Sequence, residues 1–91
     1  MKEIIIDGEV IENLNDIHYI LKSELNFPEY YGMNLDALHD CLTDLNEDVQ
    51  IDLLSTDMLS EKLGRRYPRF LKMLCDTSEE NDHLTVKAFV K

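Results

Sequence analysis

A small α/β fold built on a three-stranded parallel sheet with about four helices is the class this sequence predicts. Three runs of strand character, at residues 2–6, 49–54 and 84–88, are each separated from the next by two stretches of helical periodicity. Strands separated in this way need crossover connections, which are right-handed and make the pairing parallel. Ninety-one residues suit one domain, 1–91, and a chain of that length can bury about 60 to 65% of its unfolded surface.

The first run is closed by Asp7-Gly8, and its consecutive Ile4, Ile5 and Ile6 predict a strand covered on both faces or nearly so. Asn13 or Asn15 can cap the helix that follows, in which Leu14, Ile17, Leu21 and Leu25 share a face; Phe27-Pro28 ends it. Residues 27–33 read as an ordered turn, because Pro28 cannot continue the helix and Gly32 is free to take a positive φ. Tyr30 and Tyr31 then lie on a loop, Tyr31 as the more buried and Tyr30 as the more exposed ring.

Asn34 is an N-cap residue, and Leu35, Leu38, Leu42 and Leu45, with Cys41, form the inner stripe of the second helix. Val49, Ile51 and Leu53 mark the better-buried face of the second strand. Thr56 caps a brief helix that Gly64 stops. Pro68 fits the first turn of a last helix, with Tyr67 just before it and Phe70, Leu71, Leu74 and Cys75 facing inward. Leu84, Val86 and Ala88 alternate along the third strand. Cys41 and Cys75 are the only cysteines and read as two buried free thiols.

Nineteen acidic against nine basic residues give a formal net charge of −10, which repels phosphate backbones and anionic lipid surfaces and attracts basic partners. No nucleic-acid or membrane partner is expected. Arg65, Arg66, Arg69 and Lys72 form the one basic region and read as a solvated face. The N-terminal apolar run is shorter than a signal-peptide core, and no stretch approaches the ~18 apolar residues of a membrane-spanning helix, so a cytoplasmic location is expected.

The outer face of the second helix is the unusual feature. Asp36, His39, Asp40 and Thr43 fall at i, i+3, i+4 and i+7, and Asp44 and Glu47 add negative charge. Two carboxylates four apart repel by roughly 0.2 to 0.5 kcal/mol, and this helix carries no Lys or Arg to offset them. Folding alone gives no reason to keep them. A metal held by His39, Asp36 and Asp40 lacks a Cys or His cluster to close its shell, so no metal and no cofactor are expected. An acid–base pair made of Asp36 and Asp40 would sit on a convex helix without a pocket, so the chain does not read as an enzyme.

The block Pro-Glu-Tyr-Tyr-Gly-Met-Asn-Leu-Asp-Ala-Leu-His-Asp-Cys-Leu-Thr, residues 28–43, resembles the barstar family of intracellular ribonuclease inhibitors. Length, acidity, element order, the strand ending in Asp-Gly and the Leu84-Thr85-Val86 strand are also similar. The resemblance implies a two-layer domain with strand order 1-2-3, helices packed on one side, and a free monomer. It implies stoichiometric 1:1 inhibition of a basic, barnase-like, guanyl-specific ribonuclease, with the loop and second helix plugging the active site and Asp40 standing in for a substrate phosphate. Tyr30, Asn34, Leu35, Asp36 and Thr43 match contact positions of the family. An acidic residue late in the last helix also contributes there; counting back from the final strand gives Asp76, with Glu79 or Glu80 as alternatives. His39 stands where the family has an interfacial tryptophan, Asp44 and Leu45 replace a Gly-Trp pair, and Cys75 does not match the second family cysteine. These departures leave open an acidic immunity or regulatory module of the same fold that neutralises a different basic toxin or enzyme.

Overall fold

A computed structural model describes residues 1–90, in the order β1 (Lys2–Asp7), α1 (Leu14–Leu25), α2 (Leu35–Thr43), β2 (Val49–Leu54), α3 (Thr56–Leu63), α4 (Arg66–Glu80) and β3 (Leu84–Ala88). The strands form one parallel sheet in the order β1-β2-β3, with Ile4 opposite Ile51 and Ile51 opposite Val86. The α/β class, the four helices and the strand order agree with the sequence reading.

Alternation along each strand decides which face the helices cover. Ile4, Ile6, Val49, Ile51, Leu53 and Leu84 are buried, whereas Glu3, Ile5 and Lys87 are exposed and Gln50, Asp52 and Thr85 half-buried. One sheet face therefore meets the helices and the other meets solvent. The expectation that β1 is covered on both faces fails at Ile5, which is 56% exposed. Three consecutive isoleucines satisfy β propensity on either face and carry no period, so they do not reveal which face is open.

Each helix contributes one stripe to the core: Ile17 and Leu21 from α1, Leu38 and Leu42 from α2, Leu59 and Leu63 from α3, and Phe70 and Leu74 from α4. Burying each of these side chains contributes about 1.5–3 kcal/mol. On α4 the stripe runs Phe70, Leu74, Thr77, a spacing of four and three, which leaves Cys75 on the exposed flank. Cys41 is half-buried, and neither cysteine is in a disulfide, so the thiols are free but not both buried.

Several boundaries also shift. Asn13 is the α1 cap, its Oδ1 accepting from Asp16 N at 3.1 Å. Ser55, in the left-handed region at φ 50°, takes the position before α3 that Thr56 was expected to hold, and no side chain caps that helix. Helix α4 starts at Arg66, so Tyr67 lies inside it and Pro68 in its first turn, where no amide donor is needed. Among the described residues, no helix is long and apolar enough to cross a membrane.

Candidate functional site

The loop between α1 and α2 is held by one buried ring. Helix α1 ends at Asn26 (φ 54°), and Tyr31 N donates to Pro28 O at 3.0 Å. The turn drives Tyr31 inward: it is 7% exposed and tilts against Phe27 at 5.0 Å and His18 at 5.7 Å between ring centroids. Its hydroxyl shares a 2.5 Å hydrogen bond with Nδ1 of His18, itself 1% exposed. Burial, and secondarily the charge of Cys41, push the Tyr31 hydroxyl well above the ordinary phenol range, and burial pulls His18 below the usual imidazole value. With Tyr31 inside, Tyr30 points out at 88% exposure.

The left-handed residue of this loop is Met33 (φ 55°), not Gly32. At Gly32 a Cβ would come 3.1 Å from Nδ2 of Asn34, a tight approach to which the capping side chain would have to yield by a few tenths of an ångström. Asn34 fixes the start of α2 from both ends of its amide: Oδ1 accepts from Ala37 N at 2.8 Å and Nδ2 donates to Gly32 O at 3.3 Å.

With Leu38 and Leu42 inside, Asp36, Asp40, Thr43 and Asp44 are exposed, His39 is half-buried and Leu35 sits at the margin of the core. The Asp40 side chain is 84% exposed. Among the described residues, no Lys or Arg forms an ion pair with Asp36, Asp40 or Asp44. Thr43 Oγ1 donates to His39 O at 2.7 Å, which keeps its hydroxyl against the helix. Burial first, then the charges of Asp44 and Asp40, push the Cys41 thiol up, so it stays protonated beside the carboxylates.

His39 joins the face to α4. Its Nε2 lies 3.0 Å from Glu80 Oε2, and its Nδ1 lies 3.7 Å from Asp40 Oδ1. A groove of about 320 Å³ runs between the two helices, with Asp36 and His39 on one wall and Asp76 and Glu80 on the other. Asp76 is bound by Lys72 at 2.7 Å, and that hydrogen bond is the main reason the lysine titrates high. Of the late α4 acids, Asp76 and Glu80 line the groove and Glu79 does not. On the other side of α2, Phe27, Pro28, Tyr30 and Cys41 floor a second cleft of about 320 Å³, rimmed by Asp40 and Asp44. Among the described residues, no group of three His, Cys, Asp or Glu side chains is placed to hold a metal ion.

Sequence reasoning missed Asn81, the residue that fixes the other end of α2. Only 9% exposed, it donates from Nδ2 to the carbonyls of Leu42, Thr43 and Leu45 at 3.0, 3.1 and 3.0 Å, and its Oδ1 accepts from His83 N at 3.0 Å. Leu42 and Thr43 belong to the last turn of α2, where carbonyls lack the usual i+4 partner, and Leu45 follows just after it. The only local signal was an Asn at the helix-to-strand junction, which says nothing of a helix some forty residues earlier.

The arrangement is a convex acidic ridge with a shallow groove on each side. Its carboxylates can accept charge-assisted hydrogen bonds from cationic side chains presented by a concave surface. Compared with known proteins, the chain matches the family described as "Barstar (barnase inhibitor)" over residues 1–91. It is also similar to a Bacillus subtilis (strain 168) protein named "Putative ribonuclease inhibitor YrdF", with 60% identity over 43 residues, 47% of this chain and 47% of that protein. The match thus spans about half the length of that relative.

Proposed function

This chain belongs to the barstar family, and from that premise we propose that it is a proteinaceous ribonuclease inhibitor that blocks its target without chemistry of its own. The observation that carries the reading is the set of exposed carboxylates on α2 that, among the described residues, no Lys or Arg pairs. In the finer reading the target is a basic, barnase-like, guanyl-specific ribonuclease, bound 1:1 in the cytoplasm by a protein that is monomeric when free. Asp40 pairs there with the enzyme groups that would hold a phosphate, while Tyr30 and Leu35 exclude water at the contact.

The experiment is a titration into a barnase-like ribonuclease, followed by RNA cleavage, with Asp40→Ala in parallel. Hydrogen bonds to a charged group contribute about 1.5–3 kcal/mol, so the variant should weaken inhibition by about tenfold or more. Full enzyme activity at micromolar excess of the inhibitor overturns the barnase-like target. A salt-independent association rate overturns the electrostatic mechanism, because the screening length shrinks from about 10 Å at 0.1 M to about 3 Å at 1 M.

A second reading, an immunity or regulatory module for another basic enzyme, is favoured by one local fact. The middle of the ridge presents His39 tied to Glu80 rather than a large aromatic ring, and Leu45 packs against the core. A ribonuclease-inactive result with retained binding to a different basic protein selects it.

A further inference from the structure

Beside the acidic ridge, and sharing Leu35 and Arg69 with the α2–α4 groove, a crevice of about 550 Å³ opens where the first turns of α1 and α2 meet the start of α4. Although 19 of 91 residues are acidic, none of them lines it. Arg66 and Arg69 do, one helical turn apart and exposed, and neither forms an ion pair among the described residues. The neighbouring cation of the same helix, Lys72, is by contrast taken by Asp76. What singles out Arg66 and Arg69 is their place: both line one crevice that no carboxylate lines, in a chain of net charge −10.

The backbone adds to the same sign. Asn13 and Asn34, the caps of α1 and α2, both line the crevice, so two helix N-termini converge on it. Each carries the equivalent of about half a positive charge, offset in part by Asp16 and Asp36 in the same first turns, and each cap side chain satisfies only one of the free first-turn amides. His18 also forms part of the lining; it is 1% exposed and bonded through Nδ1 to Tyr31. Leu14, Met33 and Leu35 supply an apolar wall. The volume falls within the roughly 300–1,000 Å³ of small-molecule sites.

We propose that this crevice binds a phosphomonoester anion, held by Arg66 and Arg69 and by the first-turn amides of α1 and α2. A phosphomonoester matches the site better than a carboxylate because its three terminal oxygens can use two guanidinium forks and backbone donors together. Nucleic acid does not fit, since the chain's net charge repels an extended polyanion, whereas a small anion within a screening length of about 8 Å feels mainly the local cations. The crevice shares Asn34 and Leu35 with the face proposed to meet the ribonuclease, but anion binding there is tested without a ribonuclease and so stands or falls independently of that reading.

The test is an NMR titration of ¹⁵N-labelled protein at about 0.15 M salt, where surface attraction is already screened, with inorganic phosphate, adenosine 5′-monophosphate, and adenosine as the uncharged control. The expected result is saturable shifts confined to the amides of residues 13–18 and 33–36, caused by the phosphorylated probes and not by adenosine. The double variant Arg66→Gln/Arg69→Gln should weaken them by about tenfold or more, equivalent to about 1.4 kcal/mol, while its core amides stay in place and show that the fold is intact. Equal affinity for phosphate and the mononucleotide assigns the site to free phosphate. Tighter mononucleotide binding assigns it to an organic phosphate whose ring lies on the apolar wall. Absence of saturable shifts at tens of millimolar, shifts centred elsewhere, or an unweakened double variant overturns the proposal.

Discussion

Replacing Asn81 with alanine should destabilise the protein by about 2–4 kcal/mol. The side-chain amide has two hydrogens spread over three carbonyls, and its oxygen accepts one backbone amide, so about three hydrogen bonds are at stake. Each contributes about 0.5–1.5 kcal/mol net, and the groups left behind are buried or half-buried, which places the loss in the upper part of that range. Domains of this size are stable by about 5–15 kcal/mol in total, and 1 kcal/mol moves the midpoint by roughly 4–8 °C, so the shift is easily read. Urea unfolding followed by circular dichroism is the assay, and the midpoint should fall with an unchanged m-value. Asn81→Asp is the informative partner variant: it keeps the acceptor for His83 N but turns a carboxylate toward three carbonyl oxygens, and should destabilise at least as much. A loss below about 0.5 kcal/mol for alanine, the range of an ordinary surface change, or an aspartate variant as stable as the parent, refutes the assignment of Asn81 as the clamp on α2.

Three further outcomes follow from the same geometry. His18 is held below its ordinary pKa by burial, so the unfolded chain takes up a proton first. Stability is therefore fully present above about pH 6.5 and falls as pH drops below it, by up to about 1.4 kcal/mol per unit, and His18→Gln should flatten that slope in urea titrations between pH 7 and 5. Gly8→Ala places a Cβ against Ser55 O and 2.7 Å from Leu59 N, both backbone atoms that cannot yield cheaply, and should cost about 1–3 kcal/mol in the same assay. Asp40→Asn relieves the repulsion with Asp36 and should leave the free protein as stable or up to about 0.5 kcal/mol more stable, while inhibition of the target weakens; a clear loss of stability would mean the carboxylate has a structural role.

What was legible in the sequence was what depends on local periodicity. Leu38 and Leu42, or Val49, Ile51 and Leu53, reveal their buried face by spacing alone, and the cap Asn34 needs only three residues of context, whereas Asn13 was one of two candidates with Asn15. The split between Tyr30 and Tyr31 was also readable, because adjacent residues in a turn cannot both point inward. The misses share a different cause. Ile5 is exposed because all four described helices lie on the other side of the sheet, a property of the whole topology. Asn81 and the His18–Tyr31 pair act across 36 to 39 and 13 residues, distances at which pattern carries no signal. Cys75 was placed inside because it neighbours Leu74 in sequence, yet one residue on a helix turns the side chain by about 100°.

The acidic ridge and its supports make opposite demands on the same helix. Nine residues are too few for α2 to be stable in isolation, and its outer face adds like-charge repulsion to that deficit. The compensation lies outside the helix: Asn34 satisfies its first turn, the carbonyls of its last turn are taken by Asn81, its inner face is closed by Leu38 and Leu42, and the loop before it is pinned by Tyr31 on His18. The supports other than the exposed cap Asn34 are buried, and none uses a carboxylate of the ridge. The charged face is thus energetically separable from what holds it. Changes on the ridge should therefore move binding with little effect on stability, and changes in the supports should move stability first. A helix kept for packing alone would show no such division, because its exposed positions would be free to carry the Lys and Arg that this helix lacks.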